Sequence, residues 1–407
     1  GSCPGSSHSA LDNVQGRGHY PFMANAGSTF DVVVAGLGAM GSAAVYHLAK
    51  RGRRVAGFDR FHPPHTRGSS HGHARVIREA YASGPGYVNL IRRAYALWET
   101  LEEESGAELV RTYGHLSMRP PGGAERLGVL ESARAFNIPV ERVSAEDVRR
   151  RYPMFRVEDG WEGIFEPRAG AVFPEACINA HLKLAHVAGA ELNFNCPVLD
   201  WTADGSAVRV KSRSGEISAG RLVVCAGAWV SRFVGDLALP VEIERMTLFF
   251  FRPLRNPETF MAGRCPNNTW VCENGVSFYC QPDFGRGFKA ALHCGRAGVN
   301  PDSLDRNTSP DDEAEIRPLV ARFIPDAAGP VVESHVCMYT NLPDSKWIAD
   351  AHPDHEQVII ASPCSGHGFK FSAAIGEIVA KMCMGEVDAA DPGIFGIAPL
   401  LDRGTRT

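Results

Sequence analysis

The stretch FDVVVAGLGAMGSAAVYHLAKRG, residues 30–52, decides the fold. A buried β-run at 32–35 meets Gly36, Gly38 and Gly41, and a helical pattern carrying Ala43, Ala44 and Leu48 follows. Gly36 permits a tight turn, Gly38 lets backbone approach a pyrophosphate, and Gly41 lets the helix pack closely on the strand. The helix N-terminus favours phosphate charge. A second apolar run, RRVAGFD, ends at Asp59, an acid placed to accept from a ribose hydroxyl. Glycines alone mark only a turn; with strand, helix and spaced acid they read as a dinucleotide site.

A simple NAD-binding domain continues with alternating strands and helices. Here Asp59 is followed by RFHPPHTRGSSHGHARVIREAY, rich in His and Arg and without strand pattern. Far downstream, RLVVCAGAW (221–229) gives another buried strand ending in Ala226 and Gly227 at a turn. That is where flavoproteins of the glutathione-reductase type return a second strand edge to the cofactor. The fingerprint therefore points to the ADP half of FAD, with an NAD-dependent dehydrogenase as the alternative a colourless protein would favour.

The 407 residues suffice for a large core and suggest two domains. With 44% hydrophobic and 22% charged residues the composition is that of a globular protein, and a net charge of −4 gives no electrostatic case for nucleic acid or an anionic membrane. No apolar run approaches the ~18 residues of a membrane helix. The 11 cysteines are scattered without a CxxC pair, which predicts reduced thiols and a cytoplasmic location. Residues 1–22, polar and rich in Gly and Ser, read as an expression remnant ahead of Met23.

Near the end of the sequence, CSGHGFKFSAAIGEIVAKM (364–382) sets Lys370 between two phenylalanines at the start of an amphipathic helix, where the dipole disfavours a cation. A snorkelling lysine is the bland reading. GFKAALHCG (287–295) alternates, with Lys289, Ala291 and His293 on one face, normally the solvent face. If CMYT is extended, Cys337 and Tyr339 share a side; alone, Cys337 would be a small buried hydrophobe.

HPPHTRGSSHGHARVIREAY, CMYTNLPDSKWIADAHP and CSGHGFKF resemble segments of the monomeric sarcosine oxidase and N-methyltryptophan oxidase family, in order, from Phe30 to about Phe395. The resemblance implies an α/β fold: a glutathione-reductase-type, Rossmann-like FAD-binding domain interleaved with an α+β substrate domain containing an antiparallel sheet. The divisions are 1–29 leader; 30–110, 172–242 and 343–390 for FAD; and 111–171 and 243–342 for substrate. It implies a monomer that oxidises a secondary amine on a small amino acid, with oxygen reduced to peroxide. Fructosyl-amino-acid and cyclic-imino-acid oxidases use the same scaffold, and an FAD-bound protein without catalysis is a further alternative. No metal is expected.

The resemblance also assigns residues. Cys337 carries FAD covalently, with Cys364 as a rival thiol. Gly36, Gly38, Gly41, Asp59, Ala226, Gly227, Gly368 and Lys370 belong to the cofactor site. Arg78 and Lys370 grip the substrate carboxylate, which would satisfy the lysine among its phenylalanines, and Tyr279 and Gly366 border the substrate. His71 and Arg75 lie beside the flavin, Lys289 near its N5, and Tyr339 and His293 in the pocket. A helical reading of RGSSHGHARVIREAY makes Arg75 and Arg78 i,i+3 neighbours. The family pattern has two tyrosines where NGVSFYCQP has Phe278 and Tyr279, which predicts a less polar pocket and a more apolar amine.

Overall fold

The computed structural model describes residues 28–81, 85–122, 125–387 and 395–404, so the reading of 1–22 as a remnant lies outside the described residues. The fingerprint forms as its pattern requires. Strand Thr29–Ala35 runs into the glycine turn and helix Ala39–Lys50. It pairs in parallel with Val55–Phe58 on one side and with Gly215–Val224, the strand of RLVVCAGAW, on the other. Glu191–Asn193 extends this first sheet in parallel beyond Val55–Phe58, and His355–Ser362 adds in parallel to Gly215–Val224. Strands Val198–Asp204, Ala207–Ser212 and Ile348–His352 complete eight strands with antiparallel pairs. Central parallel strands are apolar on both faces because helices and loops cover both. One face packs against helices Ala39–Lys50, Pro85–Ser105, Pro174–Val187 and Ser372–Cys383.

A second eight-stranded sheet is antiparallel except at one pair. Its order is Val331–Asn341, Glu242–Phe251, Phe288–Leu292, Ser277–Gln281, Asn267–Val271, His115–Arg119, Glu162–Glu166 and Glu141–Ser144. Period-two alternation gives it two unlike faces. Leu116, Met118, Phe249, Phe251, Trp270, Phe278, Phe288 and Ala290 point to a core shared with helix Pro310–Phe323. Each large side chain buried there contributes about 1.5–3 kcal/mol. A buried two-pronged ion pair ties that helix to the sheet, Arg245 Nη1 and Nη2 lying 2.8 and 3.0 Å from Asp312 Oδ1 and Oδ2. Asp312 also completes the capping box with Ser309.

HARVIREAY is not helical where its arginines lie. Residues Arg75–Ile77 form a short strand, paired antiparallel with Gly170–Val172, and Val110–Thr112 completes a three-stranded ribbon. β-Branched Val76 and Ile77 favour that conformation. Arg75 and Arg78 are therefore not helical neighbours. No described helix is long and apolar enough to cross a membrane.

Candidate active site

A cavity of about 1320 Å³ runs from the glycine turn to the unlike face of the second sheet. At one end Gly36 has φ +95°, and a Cβ there would lie 2.4 Å from Cys225 O. A Cβ on Gly41 would lie 1.8 Å from Gly36 O, so this glycine serves helix packing as expected and does not line the cavity. Around Gly38 there is room: the nearest atom to a Cβ is Ser70 Oγ, at 3.5 Å. Gly36, Gly38, Asp59, Ala226 and Gly227 all border the cavity. Asp59 also has a local task, accepting from Leu37 N–H and Phe61 N–H at 2.8 Å each, which ties the glycine turn to the second strand. A turn that excludes side chains and opens onto a long cavity fits the pyrophosphate of FAD.

Beyond the turn, Cys337 and Tyr339 stand on one face of an edge strand as the alternation requires. Cys337 is 2% exposed. Its Sγ lies 3.6 Å from Ser69 O and 3.7 Å from Arg75 Nη2, and the same guanidinium donates to Ala74 O at 3.0 Å and to Ser69 O at 3.2 Å. Cys364 also borders the cavity, and burial pushes its thiol up to about 11. Gly366 has φ +75°, and a Cβ there would meet the Tyr339 ring at 2.8 Å; on Gly368 it would meet Pro363 O at 1.7 Å.

Lys370 lies in a single 3-10 turn, Phe369–Phe371, ahead of the last long helix. Its Nζ donates to Tyr81 OH and stands 5.0 Å from the centre of that ring. Arg78 covers the same ring at 5.2 Å. Burial, reinforced by Arg78, holds the Lys370 amine well below the ordinary lysine range. A lysine amine and a guanidinium thus converge on one phenol. Of the flanking phenylalanines, Phe371 is in the core 5.9 Å from Nζ, while Phe369 stacks on Trp98; Tyr81 forms the closer wall.

Two expected residues sit behind the lining. Lys289, 1% exposed, donates to Gly72 O at 2.9 Å and Ala74 O at 2.8 Å and does not border the cavity. Its amine is held well below the ordinary lysine range, first by burial and then by Arg75. His71 is likewise buried outside the lining, with both ring nitrogens unpartnered. Burial, then Arg75, lowers its pKa to about 4. His293 and Tyr279 do border the cavity, their rings 4.9 Å apart.

The expectation of a less polar pocket is overturned. Phe278 alternates to the far face, fully buried against Trp270 and Phe323, so the missing hydroxyl is a core feature. The cavity side carries Ser277 and Tyr279, joined by Thr269, Ser117 and His115 from the next strands. Tyr81, His115, Ser117 and Thr269 were missed from the sequence. Alternation in HLSMR and the spacing of Tyr81 after Arg78 were the signals available.

Residues 31–382 match the FAD dependent oxidoreductase family. Monomeric sarcosine oxidase of Streptomyces avermitilis is 37% identical over 371 residues, covering 90% of this chain and 97% of that protein. N-methyl-L-tryptophan oxidase of Yersinia pestis is 30% identical, covering 91% of this chain and 99% of that protein. Among solved structures, NikD, an amino acid oxidase of nikkomycin biosynthesis, shares the fold with a TM-score of 0.81 at 20% identity, over 90% of this chain and 96% of that one. Glycine oxidase of Geobacillus kaustophilus does so at 0.73 and 21%, over 92% and 98%. With the glycine turn, the cavity and the two-sheet architecture, these similarities place the chain in the FAD dependent oxidoreductase family, as a member of the group of monomeric sarcosine oxidases and N-methyltryptophan oxidases.

Proposed function

We propose that the protein oxidises secondary amines of amino acids, of the sarcosine or N-methyl type, passing the electrons to oxygen with formation of hydrogen peroxide. The observation that carries this reading is the convergence of Arg78 and Lys370 on Tyr81 inside the cavity that starts at the glycine turn. FAD, when bound, supplies the two-electron acceptor for the C–N bond and its return to the oxidised state by oxygen.

The chain's own residues bind and orient. Arg78 offers a planar, two-pronged donor and Lys370 a point charge to one substrate carboxylate. Tyr81 accepts from Lys370, which leaves its own O–H to donate to the same carboxylate. Lys370 and Tyr81 are buried and Arg78 half-buried, a low-dielectric setting that strengthens each charge-assisted contact. Tyr339 and Gly366, in mutual contact, wall the reacting carbon. We assign the covalent link to Cys337, whose buried sulfur borders the cavity with Arg75 Nη2 3.7 Å away. We assign His71 and Lys289 supporting roles from behind the lining, Lys289 in the reaction with oxygen, and His293 a place at the substrate side of the cavity.

The partition of strands between the two sheets supports an FAD domain of 30–110, 172–242 and 343–390 and a substrate domain of 111–171 and 243–342. The free cysteines support a reducing, cytoplasmic setting, and the relatives' name supports a monomer.

The test is anaerobic bleaching of the purified yellow protein by sarcosine, N-methyl-L-amino acids, L-pipecolate and fructosyl-glycine, with a coupled peroxide assay in air. Bleaching by at least one secondary amino acid, and not by its methyl ester, is expected. If none of these compounds bleaches the flavin, the reading fails.

A further inference from the structure

The cavity that holds the carboxylate clamp is also bordered by a row of hydroxyls, of which the assignment above uses Tyr279 alone. Tyr279, Thr269 and Ser117 are register partners on three adjacent strands, and all three border the cavity. Neighbouring strands lie ~4.8 Å apart, so the row spans about 10 Å. Ser277, two residues from Tyr279 on the same face, adds a fourth hydroxyl. Behind Thr269 stands His115, 3% exposed, its Nε2 3.4 Å from Thr269 Oγ1 and its Nδ1 unpartnered. Burial, then the nearby cations of Arg78 and Lys370, keeps that imidazole far below its ordinary pKa and hence neutral. Neutral donors and acceptors in this setting suit an uncharged hydrogen-bonding group. A purely apolar arm would take water from these hydroxyls without offering a partner in return, the more costly outcome.

We propose that the preferred substrate is an amino acid whose arm beyond the reacting C–N bond carries a hydroxyl, which pairs with the Thr269, Ser117 and Tyr279 row. The proposal rests on the amine-oxidase reading and deepens it by naming the substrate class. A site built to bind a hydroxyl rejects the isostere without one far better than an apolar pocket rejects an added hydroxyl.

Two isosteric pairs test it, one for each arm of the amine. They are N-(2-hydroxyethyl)glycine against N-propylglycine, and N-methyl-L-serine against N-methyl-L-2-aminobutyrate, each measured as kcat/KM and as the rate constant of anaerobic flavin bleaching. The hydroxyl member should lead by about tenfold or more in at least one pair. Thr269→Val and, independently, Ser117→Ala should reduce that lead severalfold, a change a merely structural role would not produce. Equal or better turnover of the alkyl member in both pairs, or a lead that survives both substitutions, overturns the proposal while leaving the oxidase intact. Failure of all four compounds and of sarcosine to bleach the flavin instead refutes the oxidase reading itself.

Discussion

Replacing Lys370 by Met keeps most of the side-chain volume and removes one charge from the clamp. The lysine amine is buried, and its partner among the described residues is a neutral phenol, so a bound carboxylate would be its charged partner. A hydrogen bond to a charged group contributes about 1.5–3 kcal/mol. At 1.4 kcal/mol per factor of ten, Lys370→Met should weaken carboxylate binding roughly 10- to 150-fold. The assay is titration of the holoenzyme with an acid that has no amine to oxidise, such as propionate, followed by the visible flavin spectrum, with the methyl ester as control. A pH arm supplies the sign. The anion favours charged lysine, whose pKa is depressed in the empty site by burial and by Arg78. Affinity in the wild type should therefore fall as pH rises through that depressed value, and the Met variant should lack this limb. An unchanged Kd in a variant with normal circular dichroism would refute the clamp and return Lys370 to a packing role.

Acid-precipitated wild-type protein should stay yellow, whereas Cys337→Ser should release its flavin on denaturation; release from Cys364→Ser instead would move the link to the other thiol. Lys289→Met removes one donor from each of the Gly72 and Ala74 carbonyls, which keep Ala74 N–H and Arg75 Nη1 respectively, at about 0.5–1.5 kcal/mol for each lost bond, and denaturant melts should show the lowered midpoint. For Asp312, burial opposes ionisation, but hydrogen bonds from Arg245 and Ser309 outweigh it and hold the carboxyl at about 2 against an ordinary 3.8. The resulting stability, about 2 kcal/mol, is fully present above pH 4 and lost as pH falls through 2, so Asp312→Asn should be less stable at neutral pH with a flatter acid limb, which thermal melts across pH would reveal.

The nucleotide end was legible because each requirement there is local: a turn, a close approach and an apolar run imprint themselves on neighbouring residues. The alternation of GFKAALHCG likewise placed Lys289, Ala291 and His293 on one face, although the segment leading to Arg75 buries Lys289 while His293, past the strand's end, stays exposed, and the depth of Lys289 left no trace in its own strand. Phe278 misled because a residue type was compared without its direction; one step of strand register sends it to Trp270 and sends Tyr279 to the cavity. Tyr81, His115 and Thr269 were illegible for another reason. They come from separate segments and acquire a role only where the sheet and the HARVIREAY ribbon meet.

The first sheet draws its strands from 29–58, 191–224 and 348–362, and the helix after Lys370 lies so close to the fingerprint helix that a Cβ on Gly376 would fall 2.4 Å from Ala43 Cβ. The fingerprint helix and the helix packed against it are thus contributed by segments far apart in sequence. Pairings so distant in sequence close slowly, since chain entropy is lost before the contacts form. On the ribosome, the emerging fingerprint has its motif but neither its second flanking strand nor its covering helix. A chain lacking the segment after 345 would therefore keep every residue of the glycine turn but lose the strand and the helix that pack beside it.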